Sequence, residues 1–402
     1  MTLLHTLTSC LLAAAAAGAL LPPAVLLVEV LAALPRRRLR EVAASAPPRM
    51  AVLIPAHDEE AQIGQTVRAL RAELGPADRL LVVADNCLDR TAALAREAGA
   101  EVIERRSESE RGKGYAISFG VVHLANDPPE VVVLVDADCS VVQGGLARLA
   151  AAAQATGVAM QADYVMTAPA GAAGLASINA FAILVRNRVR PLGLDRLAHA
   201  CQLTGSGMAF PWSVLRDAPA MRENLVEDLG LGLELALRGH PPRLCSEVRV
   251  ESELPSGAKA GLRQRRRWEH GQLHTMSRYV PRLLAAFARR PGPARLGLAL
   301  DLLVPPLALL VMIELGVFAV TAIAAALGAA TYLPVLLGSL SLGMLLLAVA
   351  TAWLRFGRQT LALGTALRIP FYVLWKAGLY AALLVKGKQK SWERTARPGE
   401  KP

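Results

Sequence analysis

Apolar residues are concentrated at the two ends of this 402-residue chain, and this distribution limits the fold more than any other feature of the sequence. One apolar stretch covers residues 11–34, and others lie between residues 298 and 385. A helix of about 20 apolar residues is long enough to cross the hydrocarbon core of a bilayer. The middle of the chain has the mixed composition of a water-soluble domain. The sequence therefore predicts a soluble domain between membrane anchors.

The N-terminal stretch predicts a transmembrane helix within residues 1–35, despite Pro22, Pro23 and Glu29. A cleavable signal peptide is the alternative, but no Lys or Arg precedes the apolar run. Four arginines follow it within residues 36–40, so the positive-inside rule predicts an outside amino terminus and a cytoplasmic domain. Because no organelle-targeting signal is evident, we expect an integral protein of a bacterial inner membrane.

The C-terminal region predicts two further spans within residues 304–354, after interfacial or linker helices at 276–303. The last segment, residues 359–402, is interrupted by charged residues and a proline and ends in a basic tail. A further crossing here would place that tail outside, against the charge rule. We therefore predict an amphipathic interfacial helix in this segment, with a fourth span as the alternative.

The net charge of +11 does not by itself indicate a nucleic-acid partner. Much of the Lys and Arg content flanks apolar segments, where anionic lipid headgroups are the simpler partner. The five cysteines show neither CxxC nor Cys/His ligand spacing, so we predict neither a disulfide framework nor a zinc site. The charge pattern thus favours membrane lipids as partners and no nucleic acid.

The middle of the chain, residues 48–275, alternates short β-rich runs with helical stretches. Runs such as MAVLIPA, RLLVVAD, AEVIER and VVVLVDAD are separated by segments whose apolar residues recur every three to four positions. This alternation predicts an α/β domain with a mostly parallel sheet and a ligand at the carboxyl ends of the strands. The Ala-rich segments between residues 148 and 182 are predicted to be helical.

Two aspartates, Asp136 and Asp138, follow the apolar strand VVVLV, and an extended backbone would place both carboxylates on one side. Hard oxygen ligands suit Mg²⁺ or Mn²⁺, and such ions bind through one or two carboxylates and substrate phosphates. Acidic pairs are common on solvated turns, but here a buried strand leads directly into the pair. We therefore predict a divalent metal site at the end of this strand.

Five segments occur along the chain in a fixed order: VLIPAHDEE, VVADNCLDRT, RGKGYA, VVVLVDADC, and VEDLGLGLELALRG followed by QRRRW. Together they resemble the motifs of membrane-bound family 2 glycosyltransferases. The resemblance covers residues 50–270 by motif and is similar in kind to cellulose, hyaluronan and poly-N-acetylglucosamine synthases. It implies a GT-A fold and inverting transfer from a nucleotide-diphospho-sugar, with UDP-sugars favoured, in cell-surface polysaccharide synthesis.

The resemblance assigns the donor site to residues of the first four motifs. Asp85 stands where family members hydrogen-bond the uracil base, while Asp136 faces the sugar side of the nucleotide and Asp138 the metal. Lys113, set between two glycines, brings a cation to the base or diphosphate, although the segment is not a Walker A loop. The other donor-site residues so assigned are Pro55, Ala56 and Glu59.

The acidic pair Glu227 and Asp228 begins an apolar helix, and an acidic first turn that complements the helix dipole is the alternative interpretation. Family members carry their catalytic Glu-Asp pair here, so the resemblance assigns both residues to catalysis, with Asp228 as general base. Val226 departs from the usual Thr of the family. The acceptor edge of the pocket is assigned to Thr204, Gly205, Ser206 and Gly207.

The segment QRRRW fits the Q-x-x-R-W signature of membrane-integrated synthases through Gln264, Arg267 and Trp268. A lipid-facing arginine cluster is the alternative. The resemblance implies that Arg267 neutralises the leaving diphosphate, for which a planar guanidinium is suited, and that Trp268 offers a flat face to the acceptor sugar.

The identity of the acceptor stays open at this stage. The Q-x-x-R-W signature favours a processive polysaccharide synthase, but three or four spans are few for an export channel. An export partner or a homo-oligomer would reconcile the two, and single transfer to a saccharide or lipid-linked acceptor is also compatible. In another class, the alternative is a catalytically inactive membrane scaffold or partner subunit of a polysaccharide synthesis complex.

Overall fold

The computed structural model describes residues 3–35, 47–169, 174–218, 227–254, 258–366 and 369, without the side chains of residues 175, 227 and 258–266. The strands are β1 (Met50–Ala56), β2 (Arg79–Asp85), β3 (Glu101–Arg105), β4 (Val131–Leu134), β5 (Ser140–Val141), β6 (Met160–Thr167), β7 (Met208–Pro211) and β8 (Arg243–Glu253). The helices are α1 (Leu3–Ala19), α2 (Leu21–Ala33), α3 (Ile63–Arg71), α4 (Thr91–Glu97), α5 (Lys113–Leu124), α6 (Gly145–Thr156), α7 (Leu175–Leu184), α8 (Arg190–Ala198), α9 (Trp212–Arg216), α10 (Glu227–Leu237), α11 (Ala258–Arg289), α12 (Pro293–Leu302), α13 (Leu307–Ala326), α14 (Leu333–Ala352) and α15 (Leu363–Ala366). Two π-helical segments, Val185–Val189 and Trp353–Gly357, continue α7 and α14.

The eight strands form one sheet in the order β3-β2-β1-β4-β7-β6-β8-β5. Four of its seven neighbouring pairs are parallel and three are antiparallel, so the prediction of a mostly parallel sheet is confirmed. The β-branched and Leu residues of β1, β2 and β4 are buried on both faces of the sheet, between helices. This double burial explains why these strands read as continuous apolar runs in the sequence.

Strand β6 corrects the helical prediction for the Ala-rich region between residues 148 and 182. Helix α6 ends at Thr156 and is followed by Gly157, which has a φ of 67°. The chain then enters the sheet at Met160. The segment from Met160 to Thr167 pairs with both β7 and β8. The alanine content hid a strand whose remaining residues, including Tyr164 and Val165, have β-favouring side chains.

The carboxyl ends of β1, β2 and β4 meet at one edge of the sheet, because these strands run parallel. Strand β7 runs antiparallel to β4, with Met208 opposite Leu134. The first residues of β7 therefore lie beside the last residues of β4. This pairing brings the segment before β7, which contains Gly207, to the same edge as Asp136.

Three helical segments are long and apolar enough to cross a membrane: 3–33, 307–326 and 333–357. They expose large apolar side chains, as at Leu315 and Leu336, which a lipid environment would cover. The segments overlap the three predicted spans. The arginine cluster at 36–40 and most of the predicted interfacial segment at 359–402 lie outside the described residues.

A buried charge network joins the N-terminal helices to the soluble domain and explains the presence of Glu29. Arg190 in α8 places Nε 3.3 Å from Glu29 Oε2 and Nη2 2.6 Å from Asp301 Oδ1. The backbones of α2 and α8 also approach closely, since a Cβ at Gly193 would lie 2.0 Å from the Glu29 carbonyl oxygen. The two buried carboxylates of this apolar junction thus share one bonded cation, Arg190.

Candidate functional site

Three segments distant in sequence meet at the carboxyl edge of the sheet around Lys113. Its ammonium forms an ion pair with the Asp136 carboxylate and donates a hydrogen bond to the Gly205 carbonyl oxygen at 2.6 Å. The backbone N–H of Asp136 donates to Ser206 Oγ at 3.0 Å. The aspartate pair after β4, the start of α5 and the segment before β7 therefore form one site.

Asp228 lies against the same segment, as the surroundings of Gly205 show. A Cβ at Gly205 would lie 3.1 Å from Asp228 Oδ2 and 3.8 Å from Lys113 Nζ, and the φ of this glycine is +101°. Glycine is thus required both by backbone conformation and by the approach of the two charged groups. The structure brings together the residues predicted for metal binding, donor binding, the acceptor edge and the base.

The ligand atoms of Asp136, Asp138 and Cys139 all lie within 4.8 Å of one another. Burial, followed by the charges of the two aspartates, raises the pKa of the Cys139 thiol well above its usual value. The two carboxylates are therefore the better donors of this group. Carboxylate oxygens are the donors that Mg²⁺ and Mn²⁺ prefer, so the donor set fits the predicted ion.

Gln161 on β6 holds the acceptor-edge segment in place. Its side chain is fully buried; Oε1 accepts a hydrogen bond from the Thr204 N–H and Nε2 donates to the Ser206 carbonyl, each at 2.9 Å. The sequence motifs do not include this residue, because a single glutamine in an Ala-rich segment matches no known pattern. Its hydrogen-bond partners become evident only from the structure, in which β6 lies beside β7.

Asp85 is buried at the end of β2 and bonded within the protein. Its Oδ1 accepts hydrogen bonds from Arg105 Nη1 at 2.8 Å and from Asn86 Nδ2 at 3.1 Å. Arg105 also binds Glu110 at 2.6 Å and lies over the Tyr115 ring, 5.4 Å from its centroid. Sequence reasoning missed Arg105, and the assignment of Asp85 to a nucleotide base stays a prediction.

The other predicted donor residues lie at the same edge as Asp85. Pro55 and Ala56 end β1 and pair with Val83 and Ala84 of β2. The backbone N–H of Glu59 donates to Thr91 Oγ1 at 2.7 Å, which fixes the loop after β1 to the start of α4. This loop is therefore positioned by protein contacts on the donor side of the sheet.

Arg267 and Trp268 lie on α11, and Trp268 lines a pocket together with Arg186 and Arg190. The side chains of Gln264 and Glu227 are outside the described part of the chain, so the structure does not locate them relative to the site.

A contact at Glu234 joins α11 to α10, the helix of Asp228. Its carboxylate binds two α11 side chains, Arg282 Nη1 at 2.5 Å and the Tyr279 hydroxyl at 2.9 Å.

Comparison with known proteins identifies the domain that carries this site. The family model described as Glycosyltransferase like family 2 matches residues 47–271. A protein named Probable glycosyltransferase YdaM from Bacillus subtilis (strain 168) is 26% identical over 257 residues, 58% of this chain and 57% of that protein. The uncharacterized protein MJ1222 from Methanocaldococcus jannaschii is 33% identical over 87 residues, 22% of this chain and 34% of that protein. The chain thus matches little more than half the length of the first relative.

A solved structure resembles most of the chain. It is the mannosyltransferase PcManGT from Pyrobaculum calidifontis in complex with GDP-Man and Mn²⁺, 18% identical, with a TM-score of 0.56. The similarity covers 87% of this chain and 98% of that chain, and it confirms the predicted GT-A-like α/β fold. Since the family model spans more than half of the chain, the protein belongs to the family described as Glycosyltransferase like family 2.

Proposed function

We propose that the protein transfers a sugar, with inversion, from a nucleotide-diphospho-sugar to a saccharide or lipid-linked acceptor at the cytoplasmic face of a bacterial inner membrane. The observation that carries this proposal is the meeting of Lys113, Asp136 and Asp228 around Gly205. The site combines acidic metal donors, a cation and a carboxylate base around one glycine. A UDP-sugar is the favoured donor, on the motif that contains Asp85.

At the donor end, Asp136 and Asp138 are the residues that would hold Mg²⁺ or Mn²⁺. Such an ion neutralises negative charge on a departing diphosphate when it is bound. The Lys113 ammonium, already beside Asp136, supplies a second positive charge at the same place. Fixed charges of this kind stabilise the leaving group because they need no reorganisation during the reaction.

At the acceptor end, Asp228 is the proposed general base. The acceptor hydroxyl oxygen forms a bond to the anomeric carbon, and its proton passes to the Asp228 carboxylate. The bond from that carbon to the diphosphate oxygen breaks, and the nucleoside diphosphate leaves. A single displacement inverts the anomeric centre, and a positioned base of this kind contributes about 10²- to 10⁴-fold to the rate.

Residues of α11 complete the proposal. Arg267 is assigned to the leaving diphosphate, and Trp268 to the acceptor, because Trp268 lines a pocket between the soluble domain and the apolar helices. We place the activity in cell-surface polysaccharide synthesis, with membrane lipids around the protein. An export partner or a homo-oligomer would supply the channel that a processive synthase requires.

The test is nucleoside-diphosphate release by the purified full chain across a panel of UDP- and GDP-sugars with Mg²⁺ or Mn²⁺. Asp138→Ala should lower release at least about 10²-fold, because the diphosphate loses its counter-charge. Asp217→Ala is the matched control, since this aspartate is exposed and its only ion pair is with neighbouring Arg216, among the described residues. The anomeric configuration of the product, read by NMR, checks inversion.

Two outcomes would contradict the proposal. Turnover by Asp138→Ala equal to that of Asp217→Ala would remove the aspartate pair from the metal site. Failure of the wild-type protein to bind any nucleotide sugar or nucleoside diphosphate in the presence of metal would instead support the inactive scaffold.

A further inference from the structure

A pocket of about 740 Å³, including its open mouth, lies between the soluble domain and the apolar helices. One part of its wall comes from α7 and the π-helical segment after it, through Ala182 and Arg186. A second part comes from Trp268 and Gln272 of α11. The third part is Leu26 of α2 and Leu307 at the start of α13. The pocket therefore borders two helices that are candidate membrane spans and the helix that carries the Q-x-x-R-W segment.

The two ends of this pocket differ in chemistry. Leu26 and Leu307 belong to an apolar cluster that joins α2 and α13 to the soluble domain. Arg186 and Gln272 present polar groups to the pocket. The Gln272 amide Nε2 donates a hydrogen bond to the Val304 carbonyl oxygen at 3.2 Å. A ligand that fills the pocket would need an apolar part toward the spans and a polar part toward Arg186.

Arg186 is the group that specifies the charge of the ligand. It makes no hydrogen bond or ion pair with any residue in the described part of the chain, whereas Arg190, one helical turn later, binds both Glu29 and Asp301. Burial lowers the pKa of Arg186 below its usual value, and the nearby carboxylates of Asp228, Asp301 and Glu269, the last of which also lines the pocket, oppose this effect without a bond to the guanidinium. A partly buried guanidinium with no bonded partner is unfavourable unless an anion completes its environment.

The position of Arg186 relative to Asp228 limits where the anion belongs in the acceptor. Asp228 lies at the start of α10, and the next residue, Leu229, packs in one apolar cluster with Leu194 of α8, the helix that directly continues the segment of Arg186. The two charged side chains are near one another but are not bonded. An anionic group bound to Arg186 would thus lie near Asp228 without contacting its carboxylate. The reacting hydroxyl would then belong to a neighbouring part of the same molecule.

We propose that this pocket binds the acceptor as a lipid-linked sugar phosphate. The lipid chain lies along Leu26 and Leu307, the phosphate binds Arg186, and the sugar reaches past Trp268 toward Asp228. Phosphate suits this position because a planar guanidinium bonds two of its oxygens at once. This inference rests on the proposed function and selects a lipid-linked acceptor over a free saccharide.

The test measures binding by calorimetry to the full chain in phosphatidylcholine nanodiscs, with farnesyl phosphate, farnesol and inorganic phosphate as probes. Farnesyl phosphate should bind, farnesol should bind about 10- to 100-fold more weakly, and inorganic phosphate should not compete at equal concentration. Arg186→Gln should weaken farnesyl phosphate binding by about the same factor and leave farnesol binding unchanged. Ala182→Phe should weaken both lipid probes, because the phenyl ring fills the pocket.

Arg188→Gln is the matched control, since Arg188 lies in the same π-helical segment but is directed to Asp163, 3.4 Å away. Its binding of farnesyl phosphate should equal that of the wild type. All variants should bind nucleoside diphosphate with Mn²⁺ as the wild type does. If the wild type itself does not bind nucleoside diphosphate, the proposed function is contradicted, and not this inference alone. Arg186→Lys should recover part of the lost affinity.

Several results would overturn the inference while the proposed function stands. One is equal affinity for farnesol and farnesyl phosphate, and another is full farnesyl phosphate affinity in Arg186→Gln. A third is loss of farnesyl phosphate binding in phosphatidylglycerol nanodiscs, since the pocket would then hold a bilayer lipid and not an acceptor. Failure of farnesyl phosphate to bind a protein that binds nucleotide would also reject it.

Discussion

The two halves of the sheet differ in how an arginine near the site is bonded. On the half formed by β1 to β4, Arg105 lies between Asp85 and Glu110 and is bonded to both. On the half formed by β5 to β8 and the helices α7 to α11, Arg190 is also bonded to two carboxylates, but Arg186, one helical turn earlier, has only unbonded carboxylates nearby among the described residues. The donor side thus bonds its arginine within the protein, while the acceptor side also contains a guanidinium that the described residues leave without a hydrogen bond.

The groups on the donor side of the site are bonded to one another without a substrate. The loop after β1 is bonded to the start of α4, and Lys113 is bonded to Asp136 and the Gly205 carbonyl. Such fixed groups stabilise charge without reorganisation, which suits a diphosphate common to every turnover. Arg186, by contrast, would gain a bonded partner only from the proposed ligand, and acceptor binding would then be selective for charge.

The largest expected effect is on the chemistry where the two halves meet. Asp228→Asn removes the proton acceptor and should lower the turnover rate by about 10²- to 10⁴-fold. Nucleotide binding should not change, because the donor side keeps Lys113 and Asp136. Single-turnover kinetics and nucleotide titration separate the two quantities, with Asp217→Asn as an exposed control. Near-normal turnover in Asp228→Asn would show that another group removes the proton.

The comparison predicts different stability changes for substitutions of the two arginines. Arg105→Met leaves the buried Asp85 charge without its cation and should destabilise the domain by about 3–5 kcal/mol. Arg186→Met removes a partly buried charge that has no hydrogen bond among the described residues and should leave the stability equal or higher. Thermal unfolding of both variants, purified in parallel, measures the difference. Equal destabilisation would mean that Arg186 has a structural role, and the contrast between the halves would fail.

A smaller effect is expected at Gly205, where the two halves touch. Gly205→Ala places a side chain in a left-handed conformation, which costs about 1–2 kcal/mol. Gly99→Ala is the matched control, because Gly99 has a φ of +94° and no atom within 4 Å of its Cβ position. Both variants should lose similar stability, but only Gly205→Ala should also lose activity, by about 10-fold or more, through displacement of Asp228. Equal activities would contradict this reading of the site.

The sequence predicted the donor half well because its signals are local. Strands β1, β2 and β4 are apolar runs that end in the residues of the motifs, and parallel pairing brings those ends together. The acceptor half depends on contacts between distant segments. The bonds of Gln161 to the Thr204 segment and the position of Arg186 in a pocket with Leu26 follow from the order of β6, β7 and α2 in space, which no local pattern contains.

The smallest expected effect concerns the contact that holds α10 against α11. Burial acts to raise the pKa of Glu234, but hydrogen bonds from Arg282 and Tyr279 outweigh it and hold the pKa below its usual value. A lowered carboxyl pKa stabilises the fold above the unfolded value of about 4.3, and this stability is lost as pH falls through the folded value.

Glu234→Gln should therefore lower the free energy of unfolding at pH 7 by about 0.5–1 kcal/mol, a small amount because the Arg282 side chain is 42% exposed to solvent. The gap between wild type and variant should narrow as the pH falls below about 4, where the wild-type carboxylate becomes protonated. Thermal unfolding across this pH range measures the gap, and Arg282→Gln with the double variant isolates the pair. A gap that does not change with pH would show that packing at Glu234, and not its charge, joins the helix of the base to the helix of the acceptor pocket.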